Sequence, residues 1–293
     1  MKKYLVLLLA LCMILVLCAC GAEETVVEEA GSEAGEAVGG YLMLSEPIST
    51  EQYGIAFKLG NEELRDAVQA GVYQLFADGT MQEIASNPDY ALVDMICLNE
   101  DDANEFDMDS ASEEMKARTT LTVGFDAEYP PYGYKDDDGE YTGFDLEMAE
   151  KVCELYGWDL VKQPIDWDAK DMELNSGSID CIWNGMTKTG READYTWSDA
   201  YIDNSIVMLV LADSGIESLE DLEGKRVVTQ AGSSALTALT EEDARADLAE
   251  TFDSLEETPD YNSAMLGLDS GLYDAVAIDI GVAMYYLNGG SKE

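Results

Sequence analysis

The stretch that decides the fold begins with Leu121-Thr122-Val123-Gly124-Phe125, a short apolar run that predicts a β-strand. An amphipathic helix is predicted over 145–156, and Gly157 is a typical helix stop. Strands and helical segments continue to alternate toward the C-terminus. Further strands are predicted over 179–184, 206–212, 226–230 and 274–279, and helical segments over 218–222 and 282–287. Such alternation is typical of α/β layers with a mostly parallel sheet.

The sequence before this stretch contains one clear helix between less regular segments. A strand is predicted to begin near Tyr41, and a helix over 62–77, with Asn61 as its N-cap. Residues 99–118 are polar and strongly acidic and lack Gly and Pro, so we interpret them as a linker that is partly helical.

The N-terminus has the pattern of an export signal. Lys2 and Lys3 precede an apolar run over 4–19 that is too short for a permanent membrane span. The run ends at Cys18-Ala19-Cys20-Gly21, which resembles a bacterial lipobox with Cys20 as the lipidated residue. The alternative is an ordinary signal peptide with a chance cysteine. We therefore predict a signal peptide over 1–19 and a flexible acidic tether over 20–40.

Charge and composition exclude several classes of function. The chain has 16 basic and 61 acidic residues, a formal charge of −45, which repels nucleic acid and anionic membrane surfaces. It contains no histidine, so it lacks a Ser-His-Asp triad and the commonest metal ligand. We expect neither a metal nor a cofactor.

Three cysteines lie beyond the N-terminal segment, namely Cys97, Cys153 and Cys181, and their spacing matches no metal-binding pattern. An exported protein permits disulfides. Three free thiols are one interpretation, and one disulfide with a spare thiol is the other.

Ordered motifs from residue 121 onward resemble a known family. They are Val123–Tyr132, Gly143-Phe144-Asp145, Ile165-Asp166-Trp167, Gly185-Met186-Thr187 with Arg191, Trp197–Tyr201 and Asp274–Asp279. Together they resemble the polar amino-acid binding proteins of ABC transporters, the bacterial family 3 solute-binding proteins. The resemblance implies an α/β fold of the type II periplasmic-binding-protein kind, with two lobes and two crossover strands.

The order of the segments departs from that family. In the family a final segment follows the helix near 287, whereas here the chain ends at Glu293 and residues 41–98 resemble that segment. The resemblance lies in Gln52–Lys58, Leu64–Val68 and Ala77–Thr80. The sequence therefore predicts a circular permutant in which residues 99–120 join the old ends, because domain termini lie at the surface and often close together. A remnant of a tandem pair that swaps segments between chains, and an artefact of sequence assembly, are the alternatives.

The permuted family fold implies specific domain limits. Lobe one spans about 54–202 and includes the linker 99–120. Lobe two spans 207–293 and is completed by the strand 41–48. The crossovers lie near 49–53 and 202–206, and ligand binds in the cleft between the lobes.

Two charged residues have the chemistry to hold a free amino acid. Arg191 suits the carboxylate, since a guanidinium donates two parallel hydrogen bonds, and it follows the Gly185-Met186-Thr187 turn. A surface arginine is the alternative. Asp279, at the carboxyl end of an apolar strand, suits the ammonium group. The alternative there is a helix N-cap. Thr187 accepts from the ammonium or donates to the carboxylate.

The remaining candidate residues surround the rest of the ligand. Ser233 and Ser234 lie at a predicted helix start, where their amides could hold the carboxylate, or serve only as caps. Tyr129 and Trp167 resemble the family's aromatic walls, with ordinary core aromatics as the alternative. Asp126 suits a ligand side chain with N–H donors, and Gln230 is a further contact.

The leading hypothesis is a monomeric extracytoplasmic lipoprotein that captures a polar amino acid for an ABC permease. The ligand is basic, glutamine-like or cystine, and no enzyme activity is expected. One alternative is an enzyme similar to the periplasmic cyclohexadienyl dehydratases of the same fold. The other is a non-functional permuted remnant.

Overall fold

Two main β-sheets organise the chain in the computed structural model, which describes residues 37–38, 40–99, 108–241 and 244–290. The predicted signal peptide over 1–19, the lipidation site at Cys20 and most of the predicted tether lie outside these residues. Within the described ranges, no helix is both long enough and apolar enough to cross a bilayer.

Strands and helices are interspersed along the described residues. The strands are β1 (Ala37–Val38), β2 (Tyr41–Met43), β3 (Ser49–Tyr53), β4 (Ala56–Phe57), β5 (Thr120–Phe125), β6 (Glu128–Tyr129), β7 (Gly133–Lys135), β8 (Tyr141–Thr142), β9 (Asp159–Pro164), β10 (Cys181–Ile182), β11 (Thr196–Trp197), β12 (Ile202–Leu211), β13 (Arg226–Gln230), β14 (Ser254–Thr258) and β15 (Ala275–Asp279). The helices are α1 (Glu62–Ala77), α2 (Thr80–Ala85), α3 (Glu113–Ala117), α4 (Phe144–Tyr156), α5 (Lys170–Ser176), α6 (Ser234–Thr240), α7 (Ala246–Ala249), α8 (Tyr261–Asp269) and α9 (Ile280–Leu287).

Each of the two main sheets forms the centre of one lobe. The five-stranded sheet has the order β11-β4-β10-β5-β9, and we call it and its helices α1 to α5 lobe one. The seven-stranded sheet has the order β1-β2-β12-β15-β13-β14, with β3 also paired to β12, and we call it and its helices α6 to α9 lobe two. A three-stranded sheet, β6-β7-β8, lies in the segment between β5 and α4.

The chain passes twice between the two sheets, once between β3 and β4 and once between β11 and β12. At both passages the chain is extended, and β3 pairs antiparallel with β12 from Ile202↔Tyr53 to Ile206↔Ser49. The paired segments span 49–53 and 202–206, and the assignment of these residues as crossovers stays a prediction. The exact limits of the lobes and the permuted segment order stay predictions.

Central strands of lobe two are buried on both faces. Successive side chains of a strand point to opposite sides of the sheet. Val207 and Leu209 of β12 therefore enter one apolar cluster, which also includes Tyr53 and Phe125. Met208 and Val210 enter the second cluster on the other face. Burial on both sides explains why β15 and the part of β12 from Ile206 to Leu211 are almost continuously apolar in sequence.

The predicted helix over 62–77 matches α1, but its N-cap does not act as predicted. Asn61 occupies the cap position and its side chain makes no capping hydrogen bond. The strand predicted over 179–184 is shorter and covers only Cys181–Ile182, although the flanking Asp180 and Trp183 amides still donate to the Thr122 and Gly124 carbonyls of β5. In the predicted linker 99–120, residues 100–107 lie outside the described part, and Ser112 caps the short helix α3 by accepting from the Met115 amide.

All three described cysteines are free thiols. Cys153 and Cys181 are buried and Cys97 is half-buried. The structure therefore favours the interpretation as free thiols over a disulfide.

Candidate functional site

One small cavity collects most of the residues that the sequence singled out. We call it the inner cavity, and it has a volume of about 10 Å³. Nine of the ten predicted ligand residues line it, namely Tyr129, Trp167, Gly185, Thr187, Arg191, Gln230, Ser233, Ser234 and Asp279. A volume of roughly 10–15 Å³ is needed to hold one water molecule. The two lobes are therefore closed tightly on one another here, and a molecule larger than water enters only when they separate or rearrange.

Asp279 ends β15 and is almost fully buried in the inner cavity. Its Oδ1 accepts hydrogen bonds from Tyr53 Oη at 2.5 Å and Asn204 Nδ2 at 2.7 Å, and its Oδ2 accepts from Tyr261 Oη at 3.1 Å. Burial raises the pKa of Asp279, while the bonds from these donors oppose the rise. Asp279 occupies the N-cap position of α9, but its side chain makes no capping hydrogen bond. The carboxylate therefore does not have the alternative role of a helix cap.

Arg191 lines the same cavity without a partner for its charge. Among the residues that the structure describes, its guanidinium forms no ion pair and no hydrogen bond. The chain contains 61 acidic residues, yet none of those that the structure describes forms an ion pair with this guanidinium. Its backbone is held in place because its carbonyl accepts from Trp197 Nε1 at 2.9 Å. The guanidinium of Arg191 is thus available at the cavity wall to donate two parallel hydrogen bonds.

The turn at Gly185 brings Thr187 to the cavity and requires glycine. Its φ is +56°, and a Cβ there would lie 2.8 Å from the ring of Tyr129. Its amide donates to Asp145 Oδ2 at 2.6 Å, and Tyr201 Oη donates to the same oxygen at 2.8 Å. Burial raises the pKa of Asp145 to about 7, although both bonds favour the charged form. Asp145 therefore anchors the turn from behind.

The two predicted aromatic walls lie side by side. The rings of Tyr129 and Trp167 are nearly parallel, with an interplanar angle of 5° and centroids 6.4 Å apart. Tyr129 also shares a hydrogen bond of 2.9 Å between its hydroxyl and that of Tyr53. Lys170 Nζ lies 5.3 Å above the Trp167 ring. These rings line a cavity and also belong to the buried core, so the two interpretations from the sequence coexist.

Asp126 is the one predicted residue outside the inner cavity. Its Oδ2 accepts from Gln230 Nε2 at 2.6 Å and its Oδ1 accepts from the Glu128 amide at 2.9 Å. Burial raises its pKa to about 6. Asp126 instead lines a neighbouring space, which we call the outer cavity, of about 1090 Å³. The bond to Gln230 links lobe one to lobe two, which the sequence pattern did not reveal.

The outer cavity is strongly acidic. Seven of its lining residues carry carboxyl groups, namely Asp126, Glu128, Asp166, Asp168, Glu173, Glu257 and Asp260, and its described lining includes no Lys or Arg. Trp167 borders both cavities. Burial and then the nearby Asp260 charge raise the pKa of Glu128. Within the described residues, no group of acidic or cysteine side chains is arranged to hold a metal ion.

The two serines at the start of α6 have different roles. Ser233 is the N-cap, and its Oγ accepts from the Leu236 amide at 3.1 Å, as the alternative interpretation proposed. Ser234 Oγ instead donates to Glu51 Oε1 at 3.0 Å.

Sequence reasoning missed Glu51, Asn204, Tyr53 and Lys170. Glu51 and Asn204 face the same network as Asp279, and Tyr53 donates to Asp279 directly. Lys170 Nζ lies 3.4 Å from the Gly232 carbonyl across the lobes, and burial lowers its pKa. The sequence Ser-Thr-Glu-Gln-Tyr of β3 has no apolar alternation, and only the folded strand shows that Glu51 and Tyr53 are buried while its other residues are more exposed.

Comparison with known proteins identifies the family. Residues 121–264 match bacterial extracellular solute-binding proteins, family 3. The substrate binding protein of an ABC uptake transporter from Streptococcus pneumoniae, solved with bound histidine, is 34% identical with a TM-score of 0.54. That alignment covers 59% of this chain and 71% of the other. This chain belongs to the family 3 bacterial extracellular solute-binding proteins.

Two further relatives are also named as binding proteins. The arginine-binding extracellular protein ArtP of Bacillus subtilis (strain 168) is 36% identical over 125 residues, which are 42% of this chain and 48% of ArtP. The chain thus matches about half the length of this curated relative. An ancestral amino acid-binding protein, a precursor of cyclohexadienyl dehydratase, is 31% identical with a TM-score of 0.54, covering 59% of this chain and 76% of that one.

Membership in family 3 confirms the resemblance and the fold class inferred from the motifs. The fold is the α/β type II periplasmic-binding-protein fold of two lobes. The relatives above are described as binding proteins, although one of them is an enzyme precursor.

Proposed function

We propose that this protein binds an α-amino acid in the inner cavity and delivers it to the permease of an ABC importer. The observation that carries the proposal is that two complementary charges line one cavity. Arg191 is a cation without an ion pair in the described structure, and Asp279 is a buried carboxylate. A free amino acid has one carboxylate and one ammonium group. These two side chains therefore match both ends of the group that all α-amino acids share.

Each predicted ligand residue has a distinct proposed role. Arg191 donates two hydrogen bonds to the ligand carboxylate, and Asp279 accepts from the ammonium group. Thr187 and Ser234 contact the ammonium end. Tyr129 and Trp167 pack against the aliphatic part of the ligand. Gly185 shapes the turn, Ser233 caps α6, and Gln230 with Asp126 holds the lobes together near the side-chain end.

A basic or polar side chain suits the outer cavity best. The outer cavity contains seven carboxyl groups, and the raised pKa of Glu128 reflects burial and the neighbouring Asp260. A cation placed there relieves the repulsion between such groups. Relatives that bind arginine and histidine agree with this choice. We propose arginine, lysine or histidine first, with glutamine-like ligands and cystine next.

The proposed setting follows from the family and the N-terminal pattern. Family 3 proteins are described as extracellular. We propose that Cys20 is lipidated and holds a monomeric binding domain at the outer side of the cell membrane.

We also propose that the chain is a circular permutant of family 3. The family match is restricted to 121–264, while β2, β3 and β4 of the segment 41–57 complete both sheets. In particular, β4 pairs with β10 and β11 inside the five-stranded sheet. A segment that precedes the family match in sequence thus supplies strands to both lobes, which agrees with a rearranged order.

An enzyme is the second candidate, because one relative is a precursor of a dehydratase. Burial raises the pKa of Asp126 to about 6, a value that suits general acid or base chemistry. However, Asp126 is engaged by Gln230 and by the Glu128 amide, so its oxygens already have partners. Binding without catalysis is therefore the better-supported function.

Thermal melting against single amino acids tests the proposal. A ligand that binds only the folded form stabilises it, by about 2.7 kcal/mol at a hundredfold excess over Kd. We expect the midpoint to rise with one or a few of L-arginine, L-lysine, L-histidine, L-glutamine and L-cystine. Arg191→Ala removes the rise, whereas Arg245→Ala, a control at a peripheral ion pair with Glu46, retains it. A cooperative melt that responds to none of the amino acids would refute the proposal.

A further inference from the structure

A second buried carboxylate lies directly behind the inner cavity. Glu51 belongs to β3, at the point where the chain passes between the lobes, and it is 9% exposed. Its Oε1 accepts from Thr187 Oγ1 of lobe one at 2.6 Å and from Ser234 Oγ of lobe two at 3.0 Å. Both donors line the inner cavity, whereas Glu51 itself does not. Glu51 therefore acts on the cavity only through its partners.

Glu51 is also connected to Asp279. The Asn204 amide nitrogen donates to Glu51 Oε1 at 2.8 Å and to Asp279 Oδ1 at 2.7 Å. An amide NH₂ group has two hydrogens, and both are used here. The two carboxylates are thus held by one side chain, and the network joins lobe one, the crossover strands and lobe two.

The direction of these bonds fixes what the two hydroxyl groups can offer a ligand. A hydroxyl has one proton to donate and two lone pairs to accept with. Since Thr187 and Ser234 direct their protons to Glu51, only lone pairs of their oxygens remain for the cavity. Such oxygens accept from an ammonium group and repel a carboxylate. A side chain at position 51 that accepts less strongly than a carboxylate would relax this constraint, because a hydroxyl could then turn its proton toward the cavity.

We propose that Glu51 is a positioning residue that sets the polarity of the amino-acid site, by holding the Thr187 and Ser234 hydroxyls as acceptors for the ligand ammonium group. This inference rests on the proposed amino-acid-binding function. It assigns the ammonium end to Thr187, Ser234 and Asp279, and leaves Arg191 for the carboxylate end.

Protonation of Glu51 links this role to pH. Burial, followed by the charge of Asp279, raises the pKa of Glu51 to about 7. The other titratable groups that it faces are the buried phenols of Tyr53 and Tyr132, whose pKa values are raised in turn by burial and by nearby carboxylates. An incoming ammonium group favours the ionised carboxylate. Binding therefore releases a proton to the buffer, and affinity increases as the pH rises through 7.

Isothermal titration calorimetry of Glu51→Gln tests the proposal. L-Arginine, L-histidine, L-glutamine and L-cystine are titrated at pH 7 into wild type, Glu51→Gln and the exposed control Glu62→Gln, in phosphate and in Tris. Because these buffers differ in ionisation enthalpy, the difference in heat reports proton release. We expect wild type and Glu62→Gln to release a proton fraction that Glu51→Gln loses, with about tenfold weaker binding and a flatter affinity profile between pH 6 and 8. Unchanged proton release and pH profile in Glu51→Gln would overturn it.

A measurement on the ligand-free protein separates this inference from the proposed function. Carbon-13 NMR of glutamate-labelled protein should show one carboxyl resonance with a midpoint near pH 7. Thr187→Val removes a donor to the ionised form, so that midpoint should move upward. If no amino acid binds but this resonance behaves as expected, the proposed function fails while the network stands. If every glutamate titrates near its ordinary value, the network fails, whether or not amino acids bind and whether or not Glu51→Gln folds.

Discussion

The inner and outer cavities adjoin at Trp167 but differ in how their charges are held. Around the inner cavity, the carboxylates of Asp279 and Glu51 are buried, and donors from both lobes are directed at them. The outer cavity is about 1090 Å³ and contains seven carboxyl groups without a cation in its described lining. Buried charges demand fixed partners, whereas partly solvated charges tolerate variation.

This difference separates two kinds of recognition. The inner network presents one arrangement of donors and acceptors, so it suits the ammonium and carboxylate groups that every α-amino acid has. The outer cavity provides a negative field without fixed geometry, so it suits side chains of varied length and shape. Substitutions in the two cavities should therefore differ in magnitude and in their response to salt.

Asp279→Asn should have the largest effect on binding. The substitution keeps the size of the side chain and removes the charge that accepts from the ligand ammonium group. Loss of a charge-assisted hydrogen bond costs about 2–3 kcal/mol, or roughly 30- to 150-fold in Kd. Calorimetry with the amino acid that gives the largest melting shift measures this change.

Asp260→Asn in the outer cavity is the matched control. Asp260 caps α8 by accepting from the Ser263 amide at 2.6 Å, and asparagine preserves that cap. Its effect should stay below about fivefold, in the range of an exposed charge. Equal losses in the two variants would contradict the distinction between the cavities.

Acidification should stabilise the protein, and Asp145 should account for part of the effect. The pKa of Asp145 is raised from 3.8 to about 7, so the folded state binds the proton more tightly than the unfolded chain. The resulting stabilisation is complete below about pH 4 and is lost as the pH rises through 7. Between pH 5 and 8 the loss is on the order of 2 kcal/mol for this group.

Asp145→Asn separates this contribution from the repulsion within a chain of charge −45. The asparagine oxygen can still accept from the Gly185 amide and Tyr201 hydroxyl. Melting midpoints of wild type should therefore fall more steeply between pH 5 and 8 than those of the variant. Parallel slopes would show that Asp145 titrates at its ordinary pKa and that the anchor behind the inner cavity is ionised throughout.

Local sequence patterns predicted most of the helices and strands. Helix α1 and strand β13 have the bounds that were predicted, since each depends on its own apolar pattern and on nearby stops. The two-residue strand β10 could not be delimited in this way, because its length depends on how far its pairing with β4 and β5 extends. The apolar residues in 179–184 indicate burial, but they do not show where the strand begins and ends.

The candidate site was predictable where one motif or one strand end supplied the residue. Arg191 and Thr187 share a motif, and Asp279 ends an apolar strand. Glu51 was not predictable as a partner of Ser234, which lies 183 positions away and on the other lobe. As one of 61 acidic residues it carries no compositional signal, and only its buried register on β3 distinguishes it.

Gly281→Ala should weaken binding by preventing full closure. A Cβ at Gly281 of α9 would lie 2.3 Å from the Tyr132 hydroxyl oxygen, and Tyr132 is fully buried in the segment that connects β5 and α4 of lobe one. Overpacking of this kind costs about 1–2 kcal/mol. We expect roughly tenfold weaker binding and a larger radius of gyration in small-angle X-ray scattering with ligand present.

The double variant Gly281→Ala with Tyr132→Phe tests the steric cause. Phenylalanine removes the hydroxyl oxygen, and the nearest remaining contact of the added Cβ is the ring carbon Cζ at 2.9 Å. Part of the affinity should return relative to Gly281→Ala, with Tyr132→Phe alone as the reference. No recovery would mean that the added methyl acts within α9 and that closure does not depend on this contact.

The smallest expected effect belongs to the outer cavity and distinguishes it most directly from the inner one. Glu128→Gln combined with Asp260→Asn removes two neighbouring charges from the acidic lining. L-Arginine binding at low ionic strength should weaken by about two- to fivefold, the range of exposed ion pairs. At high salt the difference should disappear, because the Debye length falls to about 3 Å at 1 M.

L-Glutamine, which lacks the side-chain charge, is the control ligand, and its binding should be unaffected at either salt concentration. Asp279→Asn should weaken the binding of both L-arginine and L-glutamine at both salt concentrations. A salt-independent loss for L-arginine would place its side chain in a direct buried contact with these carboxylates and would remove the distinction between a fixed inner network and a diffuse outer field.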